Sequence, residues 1–337
     1  MVFFVVLFAA LPVLLSHDVY SYVDYARLGV RHGLDPYVHP PLAAPADPAF
    51  AQVTWPSTTS AYGPLFTLAT YPLAWLSVGG AVAALKAAAA LVVLGLALLV
   101  ARLAAWRGVE PLRAAVFVAL NPLVLVHVIG GAHNDGLAIL LAMLGVAAIL
   151  AAREASAGAA LVAAVAVKAS AAVVAPFALI GVAREAIARR LGPTPLANLL
   201  LGGALAATAI ALGAYAAFGW DWLHAFGLAG ENQGRSSYMS IPITFARLSG
   251  FDADLVRAAA LALYALFVAF LLVRTWRGAD WVRAAGWASL GLLLATSWLL
   301  PWYLIWALPL AAISRDRALQ LLTLALTAYQ LGARIPL

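Results

Sequence analysis

The side chains able to do chemistry are few and far apart. Asp18 stands where an apolar run, Met1 to Ser16, gives way to the polar stretch His17 to Pro40. A carboxylate there either caps the helix that follows or works as a base, and its position alone leaves both open. His133, Asn134 and Asp135 follow Gly130, Gly131 and Ala132 and precede Gly136. One of the three suffices as a helix cap; three together, beside glycines that admit a close backbone approach, also suit a ligand. Lys168 interrupts an apolar run. A lysine at that depth costs about 2.5–3.5 kcal/mol and calls for an anion, either a phosphate or Asp135, unless it snorkels to an interface. Arg235, in the polar run Glu231 to Tyr238, is a planar fork suited to phosphate or a member of a solvated loop. Trp302 and Tyr303 follow Pro301 and form either a sugar-stacking platform or, with Trp298 and Trp306, part of an aromatic belt. His127 lies deeper and reads as an interhelical hydrogen-bonding residue.

The elements that must hold these residues are set by composition. Of 337 residues, 65% are hydrophobic and 10% charged, and the mean hydropathy is +0.97. That is a polytopic all-α membrane protein. The N-terminal run lacks a basic start and a small-residue cleavage site, so it reads as a retained helix. Cysteine is absent, which removes disulfides and thiolate metal sites. About eleven transmembrane segments are expected: 2–16, 80–104, 113–130, 136–152, a broken pair 156–167 and 170–183, then 197–218, 254–274, 281–298, 300–314 and 317–334. With the N-terminus inside, the inner connections net +7 and the outer loops −3. The net charge of +6 therefore orients the chain in a membrane rather than recruiting nucleic acid.

Long outer loops, 17–79 and 219–253, carry most of the polar chemistry, and the whole of 1–337 reads as one membrane domain. In the first loop, Asp18 to Arg31 suits a helix lying on the membrane surface, closed by Gly33. Asp24 and Arg27, three apart, read as a surface ion pair on its outer side. Seven prolines between residues 34 and 64 pre-order a rigid loop. Leu65 to Val78, with Pro72 inside it, reads as an interfacial or re-entrant helix whose Tyr62, Tyr71 and Trp75 lie near headgroups. The outer histidines lack a metal-ligand spacing, and the two halves show no mutual likeness of the kind transporters carry.

Asp18-Val-Tyr-Ser-Tyr, Gly33-Leu-Asp35-Pro36-Tyr37, Tyr62-Gly63-Pro64, Asn121-Pro122, Gly131-Ala132-His133-Asn134-Asp135 and Pro301-Trp302-Tyr303-Leu-Ile-Trp306 together resemble the actinobacterial polyprenol-phosphomannose-dependent α-1,6-mannosyltransferases, which are GT-C type membrane glycosyltransferases. The resemblance runs from residue 1 to about 310. It implies a GT-C-like fold with a long first outer loop carrying interfacial helices. It also implies transfer of a hexose, mannose above others, from a polyprenyl phosphate to a glycan or glycolipid acceptor. The reaction would occur on the extracytoplasmic side of the plasma membrane, by one inverting displacement. Asp18 matches the family's catalytic carboxylate. Arg235, Lys168 and His133 are then expected at the donor phosphate, and Tyr22, Tyr62, Asn134, Asp135, Trp302 and Tyr303 around sugar and acceptor. Neither metal nor cofactor is expected. The implied partners are the lipid-linked sugar, its acceptor and membrane lipid. Two features depart from the family: the chain stops at Leu337, shorter than is common there, and its first helix is short, as in a minimal member with a different acceptor. Two other classes stay open, a lipid-sugar flippase and a non-catalytic subunit that binds lipid-linked glycan.

Overall fold

In the computed structural model, residues 1–231 and 234–333 are described, and they are helical throughout, without strands. α1 (Val2–Ala10) stops well before residue 16, because Pro12 cannot continue it. Lys86 caps it from a neighbouring helix, donating to the carbonyls of Leu11 and, at 3.0 Å, Pro12. α2 (Asp18–His32) forms over the expected stretch and ends on a left-handed Gly33. The Pro-rich loop follows, with an Asx turn at Asp35, whose Oδ1 accepts from Tyr37 N at 2.8 Å. α3 (Pro64–Thr70) and a 3₁₀ turn (Tyr71–Trp75) lie where an interfacial segment was expected.

Four stretches are long and apolar enough to cross a membrane: α4 (Val78–Trp106), Ala169–Ala188, α9 (Thr194–Phe218) and α12 (Ala253–Trp276). The other expected segments are shorter apolar pieces. α5 (Pro111–Ala119) breaks at Asn121-Pro122 and resumes as a π-helical turn (Val124–Ile129) before α6 (Asp135–Leu150).

Two helical hairpins organise the interior. In the first, α7 (Glu154–Val167) ends at Lys168, whose backbone is extended (φ −155°, ψ 125°). A 3₁₀ turn (Ala169–Val174) then leads into α8 (Ala175–Ala188). Ala157 near the start of α7, Val182 in the middle of α8 and Leu199 near the start of α9 pack together. The break falls at Lys168, where a broken pair was expected, but the second limb, Ala169–Ala188, is by length and composition long enough to cross a membrane on its own. In the second hairpin, α13 (Trp281–Ala295) returns through a 3₁₀ turn (Pro301–Trp306) and α14 (Leu308–Ile313). Arg107 clamps its base, pairing with Asp280 and donating to Ile313 O at 2.9 Å. α15 (Arg317–Gly332) crosses back, and Gln330 reaches Met239 O.

The loops close over the two hairpin tips. Gly63 N donates to Val167 O at 3.2 Å, and a Cβ at Gly63 would collide with the Ala166 carbonyl, so Tyr62-Gly63-Pro64 docks the first loop onto the first tip. The second loop, with α10 (His224–Glu231) and α11 (Ile241–Ser249), docks onto the second tip through Ser237 N to Ser297 O and Ser240 Oγ to Thr296 O. Of its polar run, Asn232 and Gln233 lie outside the described residues.

The expected Asp24–Arg27 pair is absent. Arg27 instead reaches twenty residues along the chain to Asp47, at 2.8 Å, and Asp47 also takes His32 Nε2 at 2.8 Å. Asp24 points inward, 1% exposed, and its carboxyl has no hydrogen-bond partner among the described residues. Sequence spacing showed the right helix but not which side the loop would cover.

Candidate active site

Between the two loops and the two hairpin tips lies a cavity of about 810 Å³. Asp18 enters it from the first residue of α2. The N-cap position is His17, and no side chain caps this helix end, so Asp18 is not the cap. Its side chain is 17% exposed, and Ser21 and Tyr25, one and two turns on, line the same wall. Burial raises the Asp18 pKa; Lys168 opposes this, Asp135 adds to it, and hydrogen bonds from Trp55 and Ser16 oppose it, with a net rise. A carboxylate held above its usual range is a stronger base at neutral pH.

Lys168 forms the floor. The break in the helix frees its side chain to donate to Asp135 Oδ2 at 2.7 Å, while Trp306 Nε1 donates to Asp135 Oδ1 at 2.7 Å. One fully buried carboxylate therefore joins both hairpin tips. The ammonium lies 4.9 Å from the Tyr303 ring centroid and 5.8 Å from that of Trp306. Only one of its three protons is used by Asp135, and its side chain, 18% exposed, lines the cavity. Arg235 supplies a second cation at the rim. Its guanidinium lies 5.2 Å from the Trp55 ring and 5.8 Å from that of Trp298, and it has no carboxylate partner among the described residues. Arg235 thereby joins the second loop to the first loop and to the second hairpin tip.

Six of the ten residues expected from sequence line this cavity: Asp18, Lys168, Arg235, Tyr62, Trp302 and Tyr303. Four stand behind the wall. His133 is 2% exposed and stacks on Trp302 at 3.7 Å and 17°, with its Nδ1 3.8 Å from Asp18 Oδ2. It backs Asp18 and a wall indole rather than facing the open space. Tyr22 packs edge-on against Tyr62 and Phe66. Asn134 is buried, and its side-chain amide has no hydrogen-bond partner among the described residues. Asp135 holds Lys168 and Trp306. The glycines before His133 serve packing too, since a Cβ at Gly130 would meet the Val126 carbonyl.

Trp302 and Tyr303 do not stand free as a double platform. His133 covers one face of Trp302, and Tyr303 stacks on Trp306 at 4.2 Å and 21°. What remains open is an aromatic wall completed by Trp55, Trp298 and Trp306. Trp55 was legible only as a member of a Pro-rich loop, with nothing local to aim it here. Among the described residues, no three His, Asp or Glu side chains converge as a metal set.

The description "Alpha-(1->6)-mannopyranosyltransferase, N-terminal domain" belongs to a family model that matches residues 1–184, over half of the chain. The chain belongs to this family. A second model, the MptB C-terminal domain, matches residues 249–332. Asp18, Asp135 and Lys168 fall in the first match and Trp302, Tyr303 and Trp306 in the second, so the cavity is assembled from both. Arg235 lies between them. Among family relatives, alpha-(1->6)-mannopyranosyltransferase A of Mycobacterium tuberculosis is 31% identical over 88% of this chain and 61% of its own length. A probable alpha-(1->6)-mannopyranosyltransferase of Mycolicibacterium smegmatis is 28% identical over 94% of this chain and 65% of its own. Alpha-(1->6)-mannopyranosyltransferase B of Corynebacterium glutamicum is 26% identical over 89% of this chain and 56% of its own. The chain thus spans less than two thirds of the length of these relatives. No solved structure matches it.

Proposed function

We propose that this chain is a mannosyltransferase that uses a polyprenyl-phosphate sugar and elongates a glycan or glycolipid acceptor. The observation that carries the reading is the placement of Asp18, a base of raised pKa, in one cavity with Lys168 and Arg235. Asp18 takes the proton of an acceptor hydroxyl. The hydroxyl oxygen attacks the anomeric carbon as the bond from that carbon to the phosphate oxygen breaks, and the electron pair leaves with the polyprenyl phosphate. A single displacement inverts the anomeric centre. A positioned base contributes roughly 10²–10⁴-fold. Lys168 and Arg235 receive the charge that gathers on the leaving phosphate, and Asp135 holds Lys168 in place. The indoles of Trp55, Trp298 and Trp302 give the sugars apolar faces to lie against.

The net positive connections opposite the cavity support an extracytoplasmic site at the plasma membrane. The whole chain acts as one domain, since loops and tips from both family-matched regions enclose the site. The test uses the purified full chain in lipid nanodiscs, with polyprenyl-phosphate mannose and an α-1,6-linked oligomannoside. Wild type is expected to form a mannosylated product and Asp18→Asn none, with donor binding kept. Product formation by Asp18→Asn at the wild-type rate would overturn the role of Asp18. Movement of the lipid-linked sugar across a vesicle without a new glycosidic bond would overturn the enzyme reading in favour of a flippase.

A further inference from the structure

At the opposite end of the helices a second cavity, of about 430 Å³, is lined by Trp106, Arg107, Leu150, Asp280 and Arg315. Its charges do not cancel. Arg107 is matched by Asp280, whose other oxygen accepts from Val282 N at 2.9 Å and caps α13. Arg315 donates through Nε to Arg107 O at 2.9 Å and has no carboxylate partner among the described residues. Its guanidinium lies against the turn at Gly108, where φ is +66° and a Cβ would collide with Nη2. Arg102 adds a further cation at the rim, 5.0 Å from the Trp106 ring centroid.

The same cavity has an apolar side. Trp106 is 48% and Leu150 37% exposed, at the ends of helices whose remaining length is apolar. An indole beside arginines at a helix end marks headgroup depth. A soluble anion needs the guanidinium and nothing else. A site with an unmatched Arg on one side and an exposed indole and leucine on the other suits an anion that brings its own hydrocarbon.

We propose that this cavity binds the phosphate of an anionic phospholipid, with Arg315 as the principal cation and the first acyl carbons on Trp106 and Leu150. A headgroup with one net negative charge neutralises Arg315, whereas a zwitterionic headgroup brings an ammonium into a site that already holds two guanidiniums. Trp106, Arg107 and Leu150 belong to the region matched over 1–184, and Asp280 and Arg315 to that matched over 249–332. The lipid therefore lies across the seam between the two regions and ties them together from the side away from the catalytic pocket.

Ligand binding to the folded state stabilises it by RT ln(1 + L/Kd), where L is the free ligand concentration, and so raises its melting temperature as free ligand rises. With the full chain in a neutral detergent, added phosphatidylglycerol is expected to raise Tm by about 2–4 °C. Phosphatidylcholine or inorganic phosphate at the same concentration is expected to leave it unchanged. Arg315→Gln should lose the phosphatidylglycerol increment while keeping the Tm in detergent alone. An equal increment from phosphatidylcholine, an equal one from inorganic phosphate, or an undiminished one in Arg315→Gln would each overturn the proposal. Should Arg315→Gln fail to fold, Trp106→Ala examined by native mass spectrometry gives the same decision. It should retain several-fold less phosphatidylglycerol than wild type, and equal retention would overturn the site.

Discussion

Asp18, at the N-terminal end of α2, and Asp47, which the Pro-rich loop brings to its C-terminal end, are carboxylates that live in opposite circumstances. At the N-terminal end, Asp18 opens into a cavity of about 810 Å³ that Lys168 also lines. At the C-terminal end, Asp47 reaches in from the Pro-rich loop to take Arg27 and His32, while Arg31 donates to Ala74 O at 3.0 Å and stacks on Trp75 at 4.5 Å. One end keeps a charge available; the other uses every charge to fasten loop to helix. Six residues turn a helix about 600°, so Asp18 and Asp24 diverge by about 120°. The lesson is that a surface helix separates chemistry from anchoring by facing as well as by distance.

The strongest way to break this contrast is to ask whether each end fails in its own manner. Asp18→Asn is expected to cut turnover by at least about 10²-fold with little change in Tm, measured by product formation and thermal unfolding on one preparation. Because burial raises the Asp18 pKa, wild-type turnover should climb with pH through a value above the ordinary carboxylate range. A rate independent of pH would remove Asp18 as the base. Asp47→Asn should do the reverse, costing about 3 kcal/mol by leaving Arg27 unmatched, with turnover per folded molecule largely kept.

A finer test lies in pH and stability, where Asp24 and Asp47 should respond with opposite sign. Burial, reinforced by Asp47 and opposed by His32 and Arg27, pushes Asp24 up to about 7. The folded chain then holds a proton that the unfolded chain has released, so stability falls as pH rises from about 4 to about 7, by on the order of 2 kcal/mol. Asp24→Asn should flatten that slope. Burial raises Asp47 as well, but the hydrogen bonds from Arg27, Ala49 and His32 outweigh it and hold the carboxyl low. Its contribution is present above the ordinary carboxylate range and lost only as pH falls below it. The smallest effect is expected from Arg31→Gln, about 0.5–1 kcal/mol for one cation–aromatic contact, read as a Tm shift of a few degrees.

What could be read from the sequence was whatever depended on neighbours along the chain. Gly33 closing α2, the break at Lys168 and the Pro-ordered loop all rest on local geometry and hydropathy, and each is present. Asp18 was separable from its fellow acids because it alone stood at the end of an apolar run without a local cation. What could not be read were pairings across distance. Asp24 looked matched by Arg27 because both lie on α2, yet the loop carrying Asp47 competes for the same guanidinium and wins, with Arg27 Nε donating to both Asp47 carboxylate oxygens. His133 looked like a ligand donor because its neighbours are polar and small. Its place behind Trp302 depends on a hairpin about 170 residues further along. Lys168 had two possible anions on paper, and only the packing of α6 beside α7 brings Asp135 to it.

That last contact also governs the order in which the chain can be built into a membrane. Lys168 enters the bilayer when Trp306 has not yet been synthesised, and an unmatched ammonium there costs about 2.5–3.5 kcal/mol. Asp135, thirty-three residues earlier and at the head of α6, is already in place. The carboxylate that later joins two hairpin tips is thus the first partner the lysine meets during synthesis, so loss of Asp135 should lower the yield of inserted protein before it touches any reaction rate.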